Sequence, residues 1–315
     1  MPDQSFHPLS ILFVCSGNTP YGHSPAVDNQ GNGLKAIGHQ VTYYHIKGKG
    51  IMGYLKHVFL LRKHLKAHHY DVIHGHYAFS GITAALAGSK PLVVSIMGSD
   101  IYMSQWIRKI VLFMGKFLWK HVIVKSERMR NELKLSSAII LPNGVDLNHF
   151  AYRSDQRAIN KIWPIGGKHI IWVSDPDRKE KQFELACAAF QFLPERDAEL
   201  HVVNRVSTDQ LPLYYSAAKV LLLTSAYEGS PNVVKEAMAC GLPVVSTDVG
   251  DVRDMVDGVA GCFVCRSSPV DLALGIEKAF LFGGRTRGRE KMRNYDMKRI
   301  SRKLVNIYQS AIKHA

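Results

Sequence analysis

Residues 225–250, SAYEGSPNVVKEAMACGLPVVSTDVG, decide the fold class of this chain. The apolar run VLLLT precedes this stretch, PVVST closes it, and both are typical of short buried strands. Between them we predict a helix that Ser230 caps, that Pro231 begins and that Gly241 ends. A strand, a glycine-containing loop and a helix N-terminus form an anion site, because unpaired N–H groups and the helix dipole point at the ligand.

Two carboxylates mark the same stretch. Glu228 lies in the loop, and Glu236 lies more than one turn inside the helix, where it can accept hydrogen bonds from neutral hydroxyls. A sugar nucleotide offers both partners, a diphosphate and a ribose diol. The alternatives are a plain loop carboxylate for Glu228 and a solvated helix residue beside Lys235 for Glu236. Neither alternative explains why polar EGSPN interrupts two apolar runs.

Composition limits the class of protein. The 315 residues suit two domains, and 46% hydrophobic residues with 25 glycines suit an α/β protein rather than a disordered chain. The net charge of +14 predicts an anionic partner: nucleotides, nucleic acid or an acidic membrane. Five cysteines without a framework favour a reducing cytosol, and the lone pair Cys262 and Cys265 lacks the further ligands of a zinc site. We expect neither a membrane span nor a signal peptide.

Strand and helix patterns alternate along the chain, which predicts parallel sheets with crossover helices. The predicted strands are ILFVC, VTYYHI, DVIH, LVVSIM, HVIV and AIIL, then HIIWVS, ELHVV, KVLLLT and PVVST. The polar segment 151–168 reads as the linker. We therefore expect domains at 1–160 and 161–297, followed by an amphipathic helix at 298–315.

The motifs together resemble one family. EGSPNVVKE has a Glu, seven residues and a second Glu, and along the chain it follows DVIHGHYAFSG, LPNGVDLNHF and YYSAAKVLLLTSAY in that order. This series resembles the retaining GT-B glycosyltransferases of family 4, and among them members that assemble bacterial cell-surface polysaccharides of the teichuronic-acid type. The resemblance implies two Rossmann-like domains facing a cleft, with the last helix returning to the N-terminal domain. It also implies a nucleotide-diphosphate-sugar donor, no cofactor and no metal.

The loop DPDRKEK follows the strand HIIWVS and supplies the predicted cations. Its DxD, Asp175 to Asp177, stands among basic residues that would compete with a metal ion. The resemblance implies that Arg178 and Lys181 contact the donor diphosphate, with Lys179 as an alternative for either role. The family has Gly after the Lys, whereas Gln182 stands here. A solvated charged turn is the other interpretation of the loop.

The resemblance also assigns the acidic motif. It implies that Glu236 binds the ribose hydroxyls and that Glu228 lies at the donor sugar. Backbone amides would complete the diphosphate cradle; they belong to Gly229, Ser230, Asn232 and Val233.

The N-terminal half carries the predicted acceptor side. Gly17 lies in a Gly/Pro loop after the first strand, and His74 and His76 end a strand on one side of it. By resemblance, Gly17 contacts donor phosphate or acceptor, and His76 faces both sugars. MGSDIY resembles the family segment HGxD, with Met97 in place of the His. Asp100 would bind sugar hydroxyls or, alternatively, cap the following helix.

Two further predictions concern loops and surfaces. Asn143 and Gly144 match a family segment near the nucleotide, with a plain turn as the alternative. Residues 47–69 carry six Lys/Arg and no acid among apolar side chains, and residues 101–125 carry five and no acid. Each stretch is either an amphipathic helix for an anionic bilayer or a helix packed on the sheet with solvated charges.

The sequence therefore predicts a retaining, metal-independent glycosyltransferase with a nucleotide-sugar donor and a lipid-linked surface glycan as acceptor. We expect a cytoplasmic protein at the inner face of the cell membrane, without nucleic acid as partner. The alternatives are a sugar-nucleotide epimerase of the same fold, and a non-catalytic protein that binds anionic membranes or nucleic acid.

Overall fold

The computed structural model describes residues 7–19, 22–48, 50–98, 100, 105–163, 167–194 and 197–313. The chain divides into two compact units. The first comprises residues up to Gly144 together with those from Met297 onward, and the second is Val145–Asp296.

The first unit is built on a parallel sheet in the order β2-β1-β3-β4-β5-β6. Its strands are β1 (Ser10–Ser16), β2 (Gln40–Ile46), β3 (Val72–His76), β4 (Leu92–Ser95), β5 (His121–Val124) and β6 (Ile139–Ile140). The helices between them are α1 (Pro25–Lys35), α2 (Gly50–Ala67), α3 (Ala78–Leu86), α4 (Gln105–Phe117) and α5 (Glu127–Leu133). Helices cover both faces of the sheet, and each face has its own apolar core.

The second unit repeats this plan with a parallel sheet in the order β11-β10-β9-β7-β8. Its strands are β7 (Lys168–Val173), β8 (Ala198–Val203), β9 (Val220–Leu223), β10 (Val244–Thr247) and β11 (Phe263–Cys265). Its helices are α6 (Gln156–Asn160), α7 (Phe183–Gln191), α8 (Leu211–Ala217), α9 (Asn232–Ala239), α10 (Val252–Val256), α11 (Pro269–Phe282) and α12 (Gly288–Met292). Cys262 precedes β11 and Cys265 is its last residue; both are free thiols.

The strand order predicts where a ligand would bind in each unit. In both sheets the first strand lies between the second and the third, so the chain reverses its direction of winding there. Doubly wound sheets bind ligands at this switch point, outside the carboxyl ends of the strands. The switch points lie between β1 and β3 and between β7 and β9.

The last helix, α13 (Met297–Lys313), belongs to the first unit, where it packs against α1. Its buried residues are Ile300, Ser301, Leu304, Val305, Ile307, Tyr308 and Ala311. They recur every three or four residues, the spacing of one helix face, and join the core beneath β1 and β3.

The segment predicted as a linker is folded. The units divide at Gly144 and Val145, ahead of the predicted boundary, and residues 151–163 belong to the second unit. Asp155 caps α6 by accepting from the amides of Arg157 and Ala158 at 3.0 and 3.3 Å, and α6 packs on α8. A capped helix of five residues leaves little apolar periodicity, which is why the sequence reads as polar there.

Among the described residues, no helix combines the length and the apolarity that crossing a bilayer requires.

Candidate functional site

The loops after β7 and β9 meet at the switch point of the second unit. The amide of Ala226 donates to the carbonyl of Glu180 at 2.8 Å. The Thr224 hydroxyl lies 2.8 Å from the carbonyl oxygen of Lys181, and it accepts from Nε1 of the buried Trp172 at 2.9 Å. The basic loop and the acidic motif, far apart in sequence, are therefore held together by backbone and buried side-chain bonds.

A lysine and a glutamate face each other across this junction. Lys181 Nζ donates to Oε1 of Glu228, which also accepts from the Ser225 hydroxyl at 2.8 Å. Both charged side chains are mostly buried, so the pair is better shielded from water than a surface ion pair. Arg178, by contrast, is exposed and pairs with Glu180 at 2.6 Å. Lys179 is also exposed, at the start of the 3-10 turn Lys179–Lys181.

The residue after Lys181 has an unusual backbone. Gln182 has φ +50°, in the left-handed region that favours glycine, and it joins the 3-10 turn to α7. The resembled family has Gly here, and the observed φ gives the physical reason. The bonds from Thr224 to the carbonyls of Lys181 and Gln182 fix the turn in spite of the side chain.

The start of α9 differs from the prediction in one detail. Pro231 is the N-cap residue, and Ser230 does not cap the helix, because its hydroxyl donates to Oδ2 of Asp251 at 2.8 Å. Within the described ranges, the amides of Gly229 and Ser230 form no hydrogen bond. Asn232 and Val233 provide the first amides of the helix. Four amides therefore gather at the end of β9, where a helix dipole favours an anion.

Glu236 lies inside the unit. Its side chain is 9% exposed, and Oε2 accepts a hydrogen bond from the Tyr215 hydroxyl at 2.8 Å. Burial raises the pKa of Glu236, and the Tyr215 bond and the nearby Lys235 charge oppose that rise. The solvated-helix alternative is excluded by this burial.

The sequence did not predict that two charged side chains near these amides are buried. Lys235 is fully buried, donates to the Ser230 carbonyl at 3.1 Å, and has its pKa lowered to about 8 by burial. Asp251, in the turn after β10, accepts from Ser230, and burial raises the pKa of its carboxyl group. The turn VGD at 249–251 follows the predicted strand PVVST, so the sequence predicts either that it lines the same ligand site or that it is an ordinary turn. A buried aspartate needs a hydrogen-bond partner, and Ser230 supplies it.

The two histidines of β3 have different surroundings in the first unit. His74 contacts side chains rather than the backbone: the Tyr308 hydroxyl lies 2.6 Å from Nδ1, and the Ser95 hydroxyl lies 2.9 Å from Nε2. His76 is also fully buried, yet neither ring nitrogen has a partner among the described residues. Burial and the charges of His74 and Lys125 hold its pKa well below the usual range. His76 is therefore a neutral imidazole with two unused polar atoms.

Asp100 lines a cavity of about 300 Å³ beside β1 and α3, together with Ser16, Thr19, Ser24, Tyr54 and Tyr77. Its Oδ2 accepts from the Met97 amide at 2.8 Å, and burial raises its pKa to about 6. The alternative role as a helix cap concerns residues 101–104, which lie outside the described residues. Tyr77, next to His76, has φ +72°, a strained backbone of the kind found at binding sites.

The basic stretch 101–125 includes a residue that is not on the surface. Lys125 is 1% exposed, and its Nζ lies 3.4 Å from the Ser95 hydroxyl. Its charge bears on His74, His76 and Asp100. Lys125 follows an apolar strand, and that position was the only signal in the sequence.

Three predicted donor residues belong to the first unit. Gly17 donates its amide to the Ile46 carbonyl at 2.8 Å, and a Cβ on it would lie 2.7 Å from Cβ of His45. Asn143 is buried, and its Oδ1 has no partner among the described residues. A Cβ on Gly144 would lie 2.7 Å from Cα of Met297, so α13 requires glycine there. Packing thus accounts for Gly144.

Comparison with known proteins agrees with this arrangement. Residues 13–149 match the model of the "Glycosyltransferase Family 4" domain, and residues 157–280 match "Glycosyl transferases group 1". The chain belongs to the family 4 and group 1 glycosyltransferases. The first match covers most of the first unit, and the second covers the loops that hold Lys181, Glu228 and Glu236.

Relatives of this glycosyltransferase are diverse. The putative teichuronic acid biosynthesis glycosyltransferase TuaC of Bacillus subtilis is 28% identical over 215 residues, which are 59% of this chain and 55% of TuaC. Sucrose-phosphate synthase from Thermosynechococcus elongatus has a TM-score of 0.79 at 19% identity, over 97% of this chain and 99% of that one. HepE of Anabaena, solved with UDP and glucose, has a TM-score of 0.74 at 17% identity, over 96% and 100%. Both structures share the GT-B fold.

Proposed function

We propose that this glycosyltransferase moves a sugar from a nucleotide-diphosphate donor to a hydroxyl of a lipid-linked surface glycan, with retention of configuration and without a metal ion or cofactor. The junction of Lys181 and Glu228, beside the α9 amides, carries this proposal. It supplies a cation and hydrogen-bond donors for phosphate beside a carboxylate for the sugar. HepE, which shares the fold, was solved with UDP and glucose, and TuaC is named for teichuronic acid biosynthesis.

The chemistry follows from charge development. As the glycosyl bond breaks, negative charge grows on the leaving phosphate oxygen, and fixed donors aimed at that oxygen lower the barrier. The Lys181 ammonium has three N–H donors, so its bond to Glu228 leaves two for phosphate. Glu228 then lies next to the anomeric carbon, where positive charge develops. The acceptor hydroxyl attacks the anomeric carbon from the face that the phosphate leaves, and the proton of the hydroxyl passes to the leaving phosphate.

Glu236 supplies donor affinity in this proposal. A ribose diol donates hydrogen bonds that a buried carboxylate accepts, and the Tyr215 bond holds Glu236 in one orientation. On the acceptor side, Asp100 faces a cavity large enough for a sugar ring. The ring nitrogens of His76, which have no partner among the described residues, offer further hydrogen bonds.

A thermal-shift screen tests the donor class. UDP-, GDP- and dTDP-sugars are each compared with the free sugar at equal concentration. A donor at 100 times its dissociation constant adds about 2.7 kcal/mol, which raises the melting temperature by roughly 5–10 °C. Proton NMR of the product then reads the anomeric configuration, with and without EDTA. The proposal fails if no nucleotide sugar shifts the melting temperature, if the product is inverted, or if EDTA abolishes turnover.

We further propose that α2 and α4 hold the enzyme on an anionic membrane. Each helix buries only two of its described residues and exposes large apolar side chains beside lysine and arginine. Phe59 on α2 is 74% exposed and Phe117 on α4 is 70% exposed. Exposed aromatic and aliphatic side chains among basic ones match the chemistry of an acidic bilayer surface, which would also deliver a lipid-linked acceptor.

Sedimentation with vesicles tests this surface. The protein should bind phosphatidylglycerol vesicles and not phosphatidylcholine vesicles, and binding should weaken with salt. Phe59→Ser with Phe117→Ser should reduce binding at least about tenfold, since burying each ring contributes roughly 1.5–3 kcal/mol. Leu281→Ser is the matched control, because Leu281 is 86% exposed on the second unit. Equal losses in both variants would refute the assignment.

A further inference from the structure

Two histidines and a glutamate converge at the amino-terminal ends of β7 and β8, remote from the residues assigned above. His169 is the second residue of β7, and Glu199 and His201 lie on the edge strand β8. His169 pairs in register with Glu199, and Ile171 pairs with His201. Side chains at paired and alternate positions point to one face of a sheet, so all three share a face.

The three ligand atoms form a compact triangle. His169 Nδ1 and His201 Nε2 are 3.0 Å apart, Nε2 is 3.2 Å from Oε2 of Glu199, and Nδ1 is 3.6 Å from the same oxygen. In a tetrahedral zinc site with bonds of ~2.0–2.1 Å, two ligand atoms are about 3.3–3.4 Å apart. The observed edges bracket that separation, so one ion reaches all three atoms without moving the backbone.

We propose that His169, Glu199 and His201 form a binding site for a divalent transition-metal ion of the zinc class. Two imidazole nitrogens and one carboxylate oxygen are a common zinc ligand set, and water completes the coordination. Each imidazole binds in its neutral form, with its hydrogen on the far nitrogen: Nε2 of His169 and Nδ1 of His201.

The surroundings hold the ligands in place. The Trp163 ring stacks on His201 at 4.2 Å between ring centroids and on His169 at 5.4 Å. The His169 side chain is 4% exposed, whereas Glu199 is 61% exposed, which gives an ion a way in. A Cβ on Gly167 would lie 2.6 Å from Nε2 of His169, so glycine there leaves room for the ring.

The position of the site decides its role. The carboxyl end of β7 lies about 13 Å along the strand from His169 at ~3.3 Å per residue, and Arg178 and Lys181 follow that end. An ion at His169 therefore takes no part in sugar transfer. It joins β7 to the edge strand β8 and stabilises the unit, because it binds the folded state and not the unfolded one.

Calorimetry with Zn²⁺ tests the site on untagged protein that has been treated with EDTA and dialysed. We expect one ion per chain at this site and a melting temperature that rises by roughly 5–10 °C at 100 times the dissociation constant. Glu199→Gln removes the carboxylate charge at an exposed position and keeps the shape of the side chain. It should weaken zinc binding at least about tenfold. His201→Gln should do the same, and turnover at 25 °C should be unchanged in both variants.

A second cluster provides the matched control. Sγ of Cys15, a nitrogen of His23 and a nitrogen of His45 also lie within 4.8 Å of one another, in the first unit. His45→Gln removes that cluster and should leave the zinc isotherm assigned to β7 and β8 unchanged. An anomalous difference map at the zinc edge locates the ion directly. The proposal is overturned if the peak lies at Cys15, if Glu199→Gln and His201→Gln bind like the wild type, or if no zinc binds and the three side chains form only a hydrogen-bonded cluster.

Discussion

Lys181 donates a hydrogen bond to Glu228, although 47 residues separate the two in the chain. The bond joins the loop after β7 to the loop after β9, the two strands that flank the switch point of the second sheet. It brings the single mostly buried cation of the loop DPDRKEK to the first carboxylate of EGSPNVVKE. The Lys181 cation, which would bind the leaving phosphate, is thereby held beside the Glu228 carboxylate, which would bind the sugar.

Replacing Lys181 should lower turnover more than donor affinity. Lys181→Met removes a donor aimed at charge that grows in the transition state, so kcat should fall roughly 10²–10³-fold with little change in the dissociation constant of the donor. Lys179→Met is the control, because it removes the same charge from the same loop, but at an exposed position. Steady-state kinetics and calorimetry separate the two quantities. A loss confined to KM, or an equal loss in Lys179→Met, would contradict leaving-group stabilisation by Lys181.

Glu236 should control donor binding. Glu236→Gln keeps the shape and removes the charge that accepts from the ribose hydroxyls, and hydrogen bonds to a charged group contribute about 1.5–3 kcal/mol. The dissociation constant of a nucleoside diphosphate should therefore rise roughly 10–100-fold in calorimetry. Glu290→Gln, an exposed carboxylate on α12 of the same unit, should bind as the wild type does. Unchanged affinity in Glu236→Gln would refute the ribose role.

Asp100 should make stability depend on pH. Its pKa rises from 3.8 to about 6 in the folded protein because of burial. A folded state that holds the proton more tightly gains stability as pH falls, and this contribution is lost as pH rises from about 4 through 6. Asp100→Asn removes the buried charge and keeps an oxygen for the Met97 amide.

The unfolding free energy of Asp100→Asn minus that of the wild type should therefore be roughly 2 kcal/mol larger at pH 7.5 than at pH 4.5. Urea unfolding at both pH values measures it. The buried His74 and His76 are present in both proteins, so their titration cancels in the difference. A difference of zero, or of the opposite sign, would show that the carboxyl group stays ionised in the folded state.

Gly144 should matter for stability rather than for chemistry. A Cβ on it would lie 2.7 Å from Cα of Met297, and backbone at that distance must move. Gly144→Ala should lower the unfolding free energy by about 1–3 kcal/mol. Gly284→Ala is the control: its nearest contact would be 3.9 Å, and loss of backbone freedom should leave stability equal or slightly higher. If Gly144→Ala instead kept its stability and lost donor affinity, the predicted ligand role would be correct.

The sequence determined the class of fold and the edge of each sheet where ligands bind. Apolar runs bounded by Gly, Pro and Asp predicted the strands from β1 to β10, and the alternation with helices predicted parallel sheets. Both are local properties, because strand and helix periods are set by neighbours a few residues apart. In a parallel sheet the loops that follow the strands lie at one edge, so the sequence places EGSPN and DPDRKEK at the same edge of the sheet without deciding which of their residues touch.

Tertiary structure alone decided which charges are buried and which loops touch. Lys235 and Lys125 are fully or almost fully buried although their neighbours in sequence suggested solvated positions. Tyr308 hydrogen-bonds to His74 across 234 residues, and Gly144 is fixed by the approach of α13. Such contacts depend on strand register and on the crossing of helices distant in the chain. The same register brings His169, Glu199 and His201 together, and no spacing along the sequence records it.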